Sequence, residues 1–204
     1  HMPVYNIRQV EEALTGRVKI HHMYENNLGS LLPNPIYMAL KYLWEVGLIV
    51  LSLPVVLPLM LVTALLIKLE DGGSIFYNQE RVGYRGKPFL MFKFRSMTEN
   101  RNLNQQTTTT QNDARVTRVG RFIRKVRIDE LPQFLNVAMG QMSLIGPRAE
   151  YKKFADELEK QVPFYQYRHI VKPGITGWAQ VRHGYATDAD ETQVKIEHDF
   201  YYIK

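Results

Sequence analysis

The chain contains no cysteine among its 204 residues. That excludes a disulfide framework and agrees with a cytosolic setting. It has no GxxxxGK[ST] phosphate loop either, and no internal repeat, so neither a P-loop nucleotide site nor a repeat array is expected. His169, His183 and His198 share no metal-ligand spacing, which argues against a zinc site. Charge is missing from one long stretch: Val46 to Ile67 reads VGLIVLSLPVVLPLMLVTALLI, with Lys41 and Glu45 before it and Lys68, Glu70 and Asp71 after it.

An uncharged run of about 20 residues or more is long enough to cross a bilayer. Pro54 and Pro58 stand in its middle. Each proline removes a backbone donor and presses on the carbonyl one turn earlier, so the helix is expected to bend or break there. A re-entrant helix that enters one leaflet, turns near Pro58 and leaves on the same side fits this placement. Ser52 or Thr63 would bond the freed carbonyls, and Lys41 and Lys68 would anchor both ends at one surface. A kinked but complete transmembrane helix is the competing reading. A buried soluble helix is disfavoured because the run is apolar on every face. A cleaved signal peptide is excluded because the run begins more than forty residues in and lacks a small-residue cleavage pattern.

The remaining composition, 45% hydrophobic, suffices for one compact domain. The net charge is +6, with basic residues dense from Arg115 to Arg127 and around the apolar run. Lipid headgroups, phosphorylated substrates and nucleic acid are all attracted by such a charge, and cations near a membrane segment favour the cytoplasmic side. The organisation expected is a lead-in over 1–35, the re-entrant membrane helix over 36–70 and a cytoplasmic catalytic domain over 71–204. His1 and Met2 read as a cloning remnant.

After the turn at Asp71-Gly72-Gly73, Ser74 to Val82 and Lys87 to Met97 read as a β-hairpin around Gly83-Tyr84-Arg85-Gly86. Alternation puts Lys93 and Arg95 on one face with Phe89 and Met91, and Leu90, Phe92 and Phe94 on the other. Glu99 to Asn112, with four consecutive threonines at 107–110, lacks apolar periodicity and reads as a mobile loop. Thr117 to Val126 reads as a helix with one basic face, and Tyr151 to Lys160 as an amphipathic helix ending before Pro163. The aromatic and basic stretch Phe164, Tyr165, Tyr167, Arg168 and His169 suits a membrane interface, a stacked base or an ordinary surface. The fold class expected is therefore α+β, mainly helical with a small β-hairpin and a proline-broken membrane helix.

The most pointed stretch is Gly120 to Arg148, GRFIRKVRIDELPQFLNVAMGQMSLIGPR. Asp129 and Glu130 follow Arg121, Arg124, Lys125 and Arg127, and Pro132 falls where the first turn of a helix tolerates proline. The carboxylates are expected to cap a helix whose buried stripe is Leu131, Phe134, Leu135 and Ala138, with Gly140 as its stop. A helix N-terminus stabilises a carboxylate and attracts a phosphate alike. The same residues also suit an ordinary helix cap with solvated basic neighbours.

The apolar run, NQERVGYRGKPFLMFKFRSM, DARVTRVGRFIRKVRIDELPQFLNVAMGQMSLIGPR and VKPGITGWAQV, in that order, resemble the bacterial sugar transferase family, whose members are monotopic phosphoglycosyl transferases. The resemblance runs from about Leu40 to the C-terminus. It implies transfer of a sugar 1-phosphate from a UDP-sugar to undecaprenyl or another polyprenyl phosphate. The setting implied is the cytoplasmic face of the bacterial inner membrane, the step opens synthesis of a surface glycan, and UMP is released. On the matching positions it implies Asp129 as the nucleophile forming a phosphosugar-enzyme intermediate and Glu130 as its required partner. It further implies Mg2+ at Asp129 and Glu130, and Lys93, Arg124 and Arg148 as binders of substrate phosphate; Arg95, placed on the Lys93 face by alternation, is expected to join them. Three places depart from the family pattern: Leu57 stands where serine usually precedes the proline of the break, Ala149 replaces the last proline of GPRP after Arg148, and Arg182-His183 replaces Asn-Gly. The chain is expected to be the catalytic part of a longer member.

The partners expected are a UDP-sugar, polyprenyl phosphate and the lipid bilayer. Nucleic acid is not expected, since the apolar run argues against it, and the sequence leaves open whether the chain forms a homodimer. The alternative function is a membrane-tethered binding or scaffold protein in which the acid pair is only a helix cap.

Overall fold

A computed structural model of the protein describes residues 6–20, 33–98, 113–184 and 189–204; the expected mobile loop over 99–112 lies outside them. The chain runs α1 (Ile7–Thr15), α2 (Pro35–Asp71), β1 (Phe76–Val82), β2 (Pro88–Phe94) and α3 (Arg118–Lys125). After a 3-10 turn over Ile128–Glu130 come α4 (Gln133–Ala138), β3 (Ser143–Ile145) and α5 (Lys152–Gln161). A second 3-10 turn, Tyr165–Ile170, leads to β4 (Gly174–Thr176), α6 (Trp178–Arg182) and α7 (Ala189–Ile203). Two small sheets, β1–β2 antiparallel and β3–β4 parallel, among these helices make the class α+β, as expected.

The apolar run forms one helix that is helical at every residue from Pro35 to Asp71. Asn34 caps its start, accepting from the Ile36 N–H at 2.9 Å, and Gly72, at φ 72°, ends it. Of the expected bend or break at Pro54 and Pro58, a break is not observed; both prolines are exposed inside α2. Each deletes one hydrogen bond from a ladder of many, which a long helix can absorb without ending. Nor do the hydroxyls serve the carbonyls the prolines free. Ser52 Oγ donates to the Ile49 carbonyl at 2.7 Å and Thr63 Oγ1 to that of Leu59 at 2.8 Å, whereas the freed carbonyls are those of Val50 and Pro54. Glu45, Ile49, Thr63 and Ile67 recur at helical spacing and form the one buried stripe; Leu51, Val55, Leu61 and Leu65 are exposed.

That stripe meets the rest of the domain near both ends. Ile49 packs with Phe89, Met91, Val137, Met142 and Ala149, while Ile67 packs with Phe94 and Ile123. Lys41 bonds Glu45, Ser143 and the Ile145 carbonyl, and at the far end Glu70 accepts the backbone N–H groups of Arg118 and Val119.

The hairpin forms where alternation placed it, with Tyr77 opposite Lys93 and Arg81 opposite Phe89. Its β2 edge is covered by a side chain. Asn136 of α4 is fully buried, accepts the Phe92 N–H at 3.0 Å and donates to the Leu90 carbonyl at 2.7 Å. This overturns the expected stripe of α4: Pro132, Gln133, Asn136 and Val137 face inward, while Leu135 is 55% exposed. The cause is the open strand edge, whose buried polar groups need partners more than the apolar residues need burial. The β1 edge carries the segment after β3: the Val82 N–H donates to Glu150 and Arg81 bridges Tyr151.

The lead-in expected over 1–35 is not a separate linker in its described part. Val18 and Ile20 are buried with Val82, Val162, Tyr165, Ile196 and Phe200, and the Val18 N–H donates to Glu197 at 2.9 Å. The stretch Phe164 to His169, left open between a membrane interface, a stacked base and an ordinary surface, enters the 3-10 turn Tyr165–Ile170, with Tyr165 and Arg168 both 2% exposed.

Candidate functional site

The acid pair sits on a tight turn rather than at the cap of a regular helix. Thr117 caps α3 by accepting the Gly120 N–H at 2.8 Å, and two residues after α3 ends the chain reverses at Arg127, a non-glycine residue in the left-handed region at φ 61°. That reversal swings the next turn, Ile128–Glu130, inward, so both carboxylates are buried: Asp129 is 8% and Glu130 7% exposed. A left-handed arginine is unfavourable by itself, and such conformations gather where a site demands them.

Glu130 is the anchor of a cationic clamp. Its Oε1 accepts from Lys93 Nζ at 3.1 Å and from Arg148 Nη2 at 3.1 Å, with Arg127 at 3.6 Å. Lys93 comes from β2 and Arg148 from the segment after β3, so the hairpin and the β3–β4 unit meet on one oxygen. Burial alone would raise the Glu130 pKa, but Lys93 and Arg148 outweigh it and hold the carboxyl below its ordinary range. Burial lowers the Lys93 pKa, Glu130 working against that shift and Arg148 with it.

Asp129 stands in contrast. Its Oδ1 is buried and has no hydrogen-bond partner. Burial raises its pKa and so does the Glu130 charge, while Lys93, Arg124 and Arg127 pull it down. One oxygen of Glu130 is therefore bonded to two cations, and the neighbouring Asp129 keeps a bare oxygen among them. An unpaired buried oxygen costs free energy unless it serves a ligand or a reaction.

The backbone under Arg148 is fixed from two sides. Arg168 donates to the Arg148 carbonyl at 2.9 Å, to Tyr165 Oη at 3.0 Å, and pairs with Asp199 of α7 at 2.8 Å, the last two contacts buried. Beneath it the parallel pair β3 and β4 continues into a close backbone contact. A Cβ on Gly174 would collide with the Gly146 nitrogen, and one on Gly146 with the Lys172 carbonyl oxygen. The Gly146 N–H donates to Thr176 and the Gly174 N–H to Pro147, both at 2.9 Å.

Of the residues singled out from sequence, Asp129, Glu130, Lys93 and Arg148 come together, and Arg124 acts on Asp129 through its charge. Arg95 does not join them. It lies beyond the end of β2, pairs with Asp71 at the end of α2 and rests against Gly73, so it ties the long helix to the hairpin. The strand alternation that grouped it with Lys93 stops at Phe94. Sequence reading passed over Arg127 and Asn136 as parts of the site. The spacing of three between Arg127 and Glu130, and a lone asparagine in an apolar helix, are the signals that point to them.

Among the described residues no group of three or more histidine, cysteine, aspartate or glutamate side chains is placed to hold a metal. Two carboxylates, one with a bare oxygen, still fit magnesium, which takes one or two protein carboxylates and completes its shell with water and substrate phosphate.

An α+β domain set against one long apolar helix, with an acid pair inside a ring of cations, has the make-up of a phosphate-handling protein. The chain belongs to the bacterial sugar transferase family, whose profile matches residues 36–204. It is 57% identical over its whole length to a UDP-N-acetylgalactosamine-undecaprenyl-phosphate N-acetylgalactosaminephosphotransferase of Aeromonas hydrophila, covering 48% of that protein. It is 37% identical over 98% of its length to a UDP-glucose:undecaprenyl-phosphate glucose-1-phosphate transferase of Klebsiella pneumoniae, covering 42% of it. A protein so named from Escherichia coli strain K12 is 40% identical over 81% of this chain and is 36% covered. The chain thus spans about half the length of these relatives, or less.

Proposed function

We propose that this chain is the catalytic part of a phosphoglycosyl transferase that moves a sugar 1-phosphate from a UDP-sugar to undecaprenyl phosphate. The observation that carries the reading is the bare Asp129 Oδ1 beside a Glu130 whose Oε1 is held by Lys93 and Arg148. A carboxylate tied to two cations is the poorer nucleophile, and a bare oxygen held among cations is the better one toward phosphorus. Asp129 attacks the sugar-bearing phosphorus of the donor, the bond to the bridging oxygen breaks, and UMP leaves. An oxygen of undecaprenyl phosphate then attacks the same phosphorus, frees Asp129 and yields the diphosphate-linked sugar. Lys93, Arg124 and Arg148 balance the charge on the transferring group, and Glu130 keeps Lys93 and Arg148 in place. Magnesium bound at Asp129 and Glu130 supplies further charge neutralisation of the donor diphosphate.

α2 supports placement at a membrane face with both helix ends on one side. It is long and apolar enough to cross a membrane, yet Lys41 near one end and Glu70 near the other bond the same domain. A helix of this length, at about 1.5 Å per residue, is roughly 55 Å long, well beyond the ~30 Å hydrocarbon core. We place the domain on the cytoplasmic face of the inner membrane, where the basic surface meets anionic headgroups.

The test is to incubate the protein with UDP-sugars, magnesium and undecaprenyl phosphate and to measure UMP. UDP-N-acetylgalactosamine comes first, because the 57% identical relative is named for that donor, and UDP-glucose second. Asp129→Asn is expected to abolish UMP release and the phosphosugar adduct on the protein. Full activity in that variant refutes the assignment, and no UMP from any donor refutes catalysis in favour of a tethering role.

A further inference from the structure

Beside the first turns of α2 lies a cavity of about 80 Å3 that the transfer chemistry does not use. It is lined by Tyr37, Tyr42 and Glu45 of α2, Ser143 of β3, Lys172 just before β4 and Tyr202 of α7. One water needs only ~10–15 Å3 by the same measure, so the space admits a group of several heavy atoms. Most polar groups on the wall are already engaged. Lys41 bonds Glu45, Ser143 and the Ile145 carbonyl, as many acceptors as an ammonium has protons. The Tyr42 hydroxyl donates to the Ala138 carbonyl at 2.7 Å and the Tyr202 hydroxyl to the Ile145 carbonyl at 2.6 Å. Among the described residues two side-chain donors on the wall remain. Half-buried Lys172 has neither a hydrogen bond nor an ion pair there, and its Nζ rests 4.6 Å from the centre of the Tyr42 ring. The Tyr37 hydroxyl has no acceptor there either, and Tyr37 is exposed. Charge agrees with this count: Lys41 and Lys172 share one carboxylate, Glu45, and Lys41 already holds it. The cavity is short of one negative charge.

The surroundings say which anion reaches it. Ile36, Leu40, Leu43 and Trp44, on the same first turns of α2, are all exposed. Leucines and a tryptophan at the start of a long apolar helix suit the boundary between headgroups and acyl chains, where lipid phosphates supply the negative charge. The acid turn is elsewhere. Tyr42 reaches the Ala138 carbonyl and Lys172 lies against Gly140, both at the end of α4, whereas Asp129 and Glu130 precede its start. Glu130 to Ala138 spans about 12 Å at ~1.5 Å per residue. A phosphate held at Lys172 is therefore out of reach of Asp129 and is not the reacting one.

We propose that this cavity seats the headgroup phosphate of an anionic phospholipid, with the Lys172 ammonium as its counter-ion and the Tyr37 hydroxyl as a second donor. A lipid with a net negative headgroup supplies the one charge the cavity lacks. The seat depends on the membrane placement of α2 and is independent of the transfer chemistry, so it stands or falls without any measurement of UMP.

The experiment titrates phosphatidylglycerol into the full chain in neutral detergent micelles and counts the lipid retained by native mass spectrometry. Lys172→Ala is expected to weaken phosphatidylglycerol about tenfold, the scale of one charge-assisted contact, and Lys172→Arg to stay within about threefold of the parent. Tyr37→Phe, at an exposed position where the fold is not at stake, is expected to weaken it about threefold, the scale of one neutral hydrogen bond. Lys125→Ala, on α3 at the far end of α2, removes an exposed cation and should change nothing. Unchanged affinity in Lys172→Ala or in Tyr37→Phe overturns the seat. So does an equal loss in Lys125→Ala, which marks unspecific attraction, or equal binding of phosphatidylcholine, whose headgroup carries its own cation. Competition separates the sources of phosphate. Inorganic phosphate that displaces the lipid at equal concentration makes this a free-anion site. Undecaprenyl phosphate that displaces it, and loses affinity equally in Lys172→Ala, makes it an acceptor site. Either result overturns the assignment to a phospholipid.

Discussion

Glu130→Gln is the sharpest probe of the clamp, because it keeps shape and removes one charge. In the native protein Oε1 takes two charge-assisted hydrogen bonds at 3.1 Å, from Lys93 and from Arg148, in surroundings where Glu130 is 7% exposed. A neutral amide oxygen accepts these bonds more weakly, by about 1 kcal/mol each, and leaves the buried Lys93 ammonium undercompensated. The combined loss is about 3 kcal/mol, a drop of roughly 6–12 °C in Tm for a chain of this size. Thermal melts in detergent micelles across pH read it. The native Glu130 pKa lies below its ordinary 4.5, so the folded state gives up this proton more readily than the unfolded one. The stabilisation is complete above about pH 4.5 and fades as pH falls through the lowered native value. The gap in Tm between parent and variant should be full at pH 7 and narrow below pH 4.5. On the alkaline side it should narrow again. Lys93 in the variant is buried with less compensation, so its pKa falls further below 10.5 and the variant gains stability as pH rises toward that value. A variant that melts within 1 °C of the parent at pH 7, or a gap that does not change with pH, refutes this account of the clamp.

Asn136→Leu leaves the Phe92 N–H and the Leu90 carbonyl buried without partners; it should cost about 2–5 kcal/mol, seen as a fall in the denaturation midpoint, and should reduce UMP release because α4 carries the acid turn. A midpoint equal to the parent's means the strand edge finds another partner. The chain has no cysteine, so single cysteines at Ile36 and Leu69, both well exposed on α2, give clean topology labels in sealed vesicles. Both should react from the same side, and labelling from opposite sides rules out the re-entrant placement.

How much was legible beforehand follows from the range of the interactions. The hairpin, α3, α5 and the Gly140 stop could be read because each is set by neighbours in sequence: alternation, a cap, a left-handed glycine at φ 74°. The acid pair and its arginines could be read because the segment is dense in chemistry. The inward face of α4 could not, because Asn136 is recruited by a strand edge more than forty residues away. The burial of Val18 and Ile20 hangs on α7 at the opposite end of the chain, which no local pattern announces. Arg95 was misplaced because alternation holds only within a strand, and the strand ended one residue too early.

The pairing of β3 with β4 makes two separate sequence motifs into one mechanical joint. Gly146 and Gly174 touch backbone to backbone, and the joint carries Arg148 at its rim. Anyone assembling hybrids from two relatives should therefore treat residues 143–148 and 172–177 as a single cassette. Exchanged alone, either half meets a mismatched neighbour with no side-chain slack to take up the error, and the fault appears at the Arg148 guanidinium.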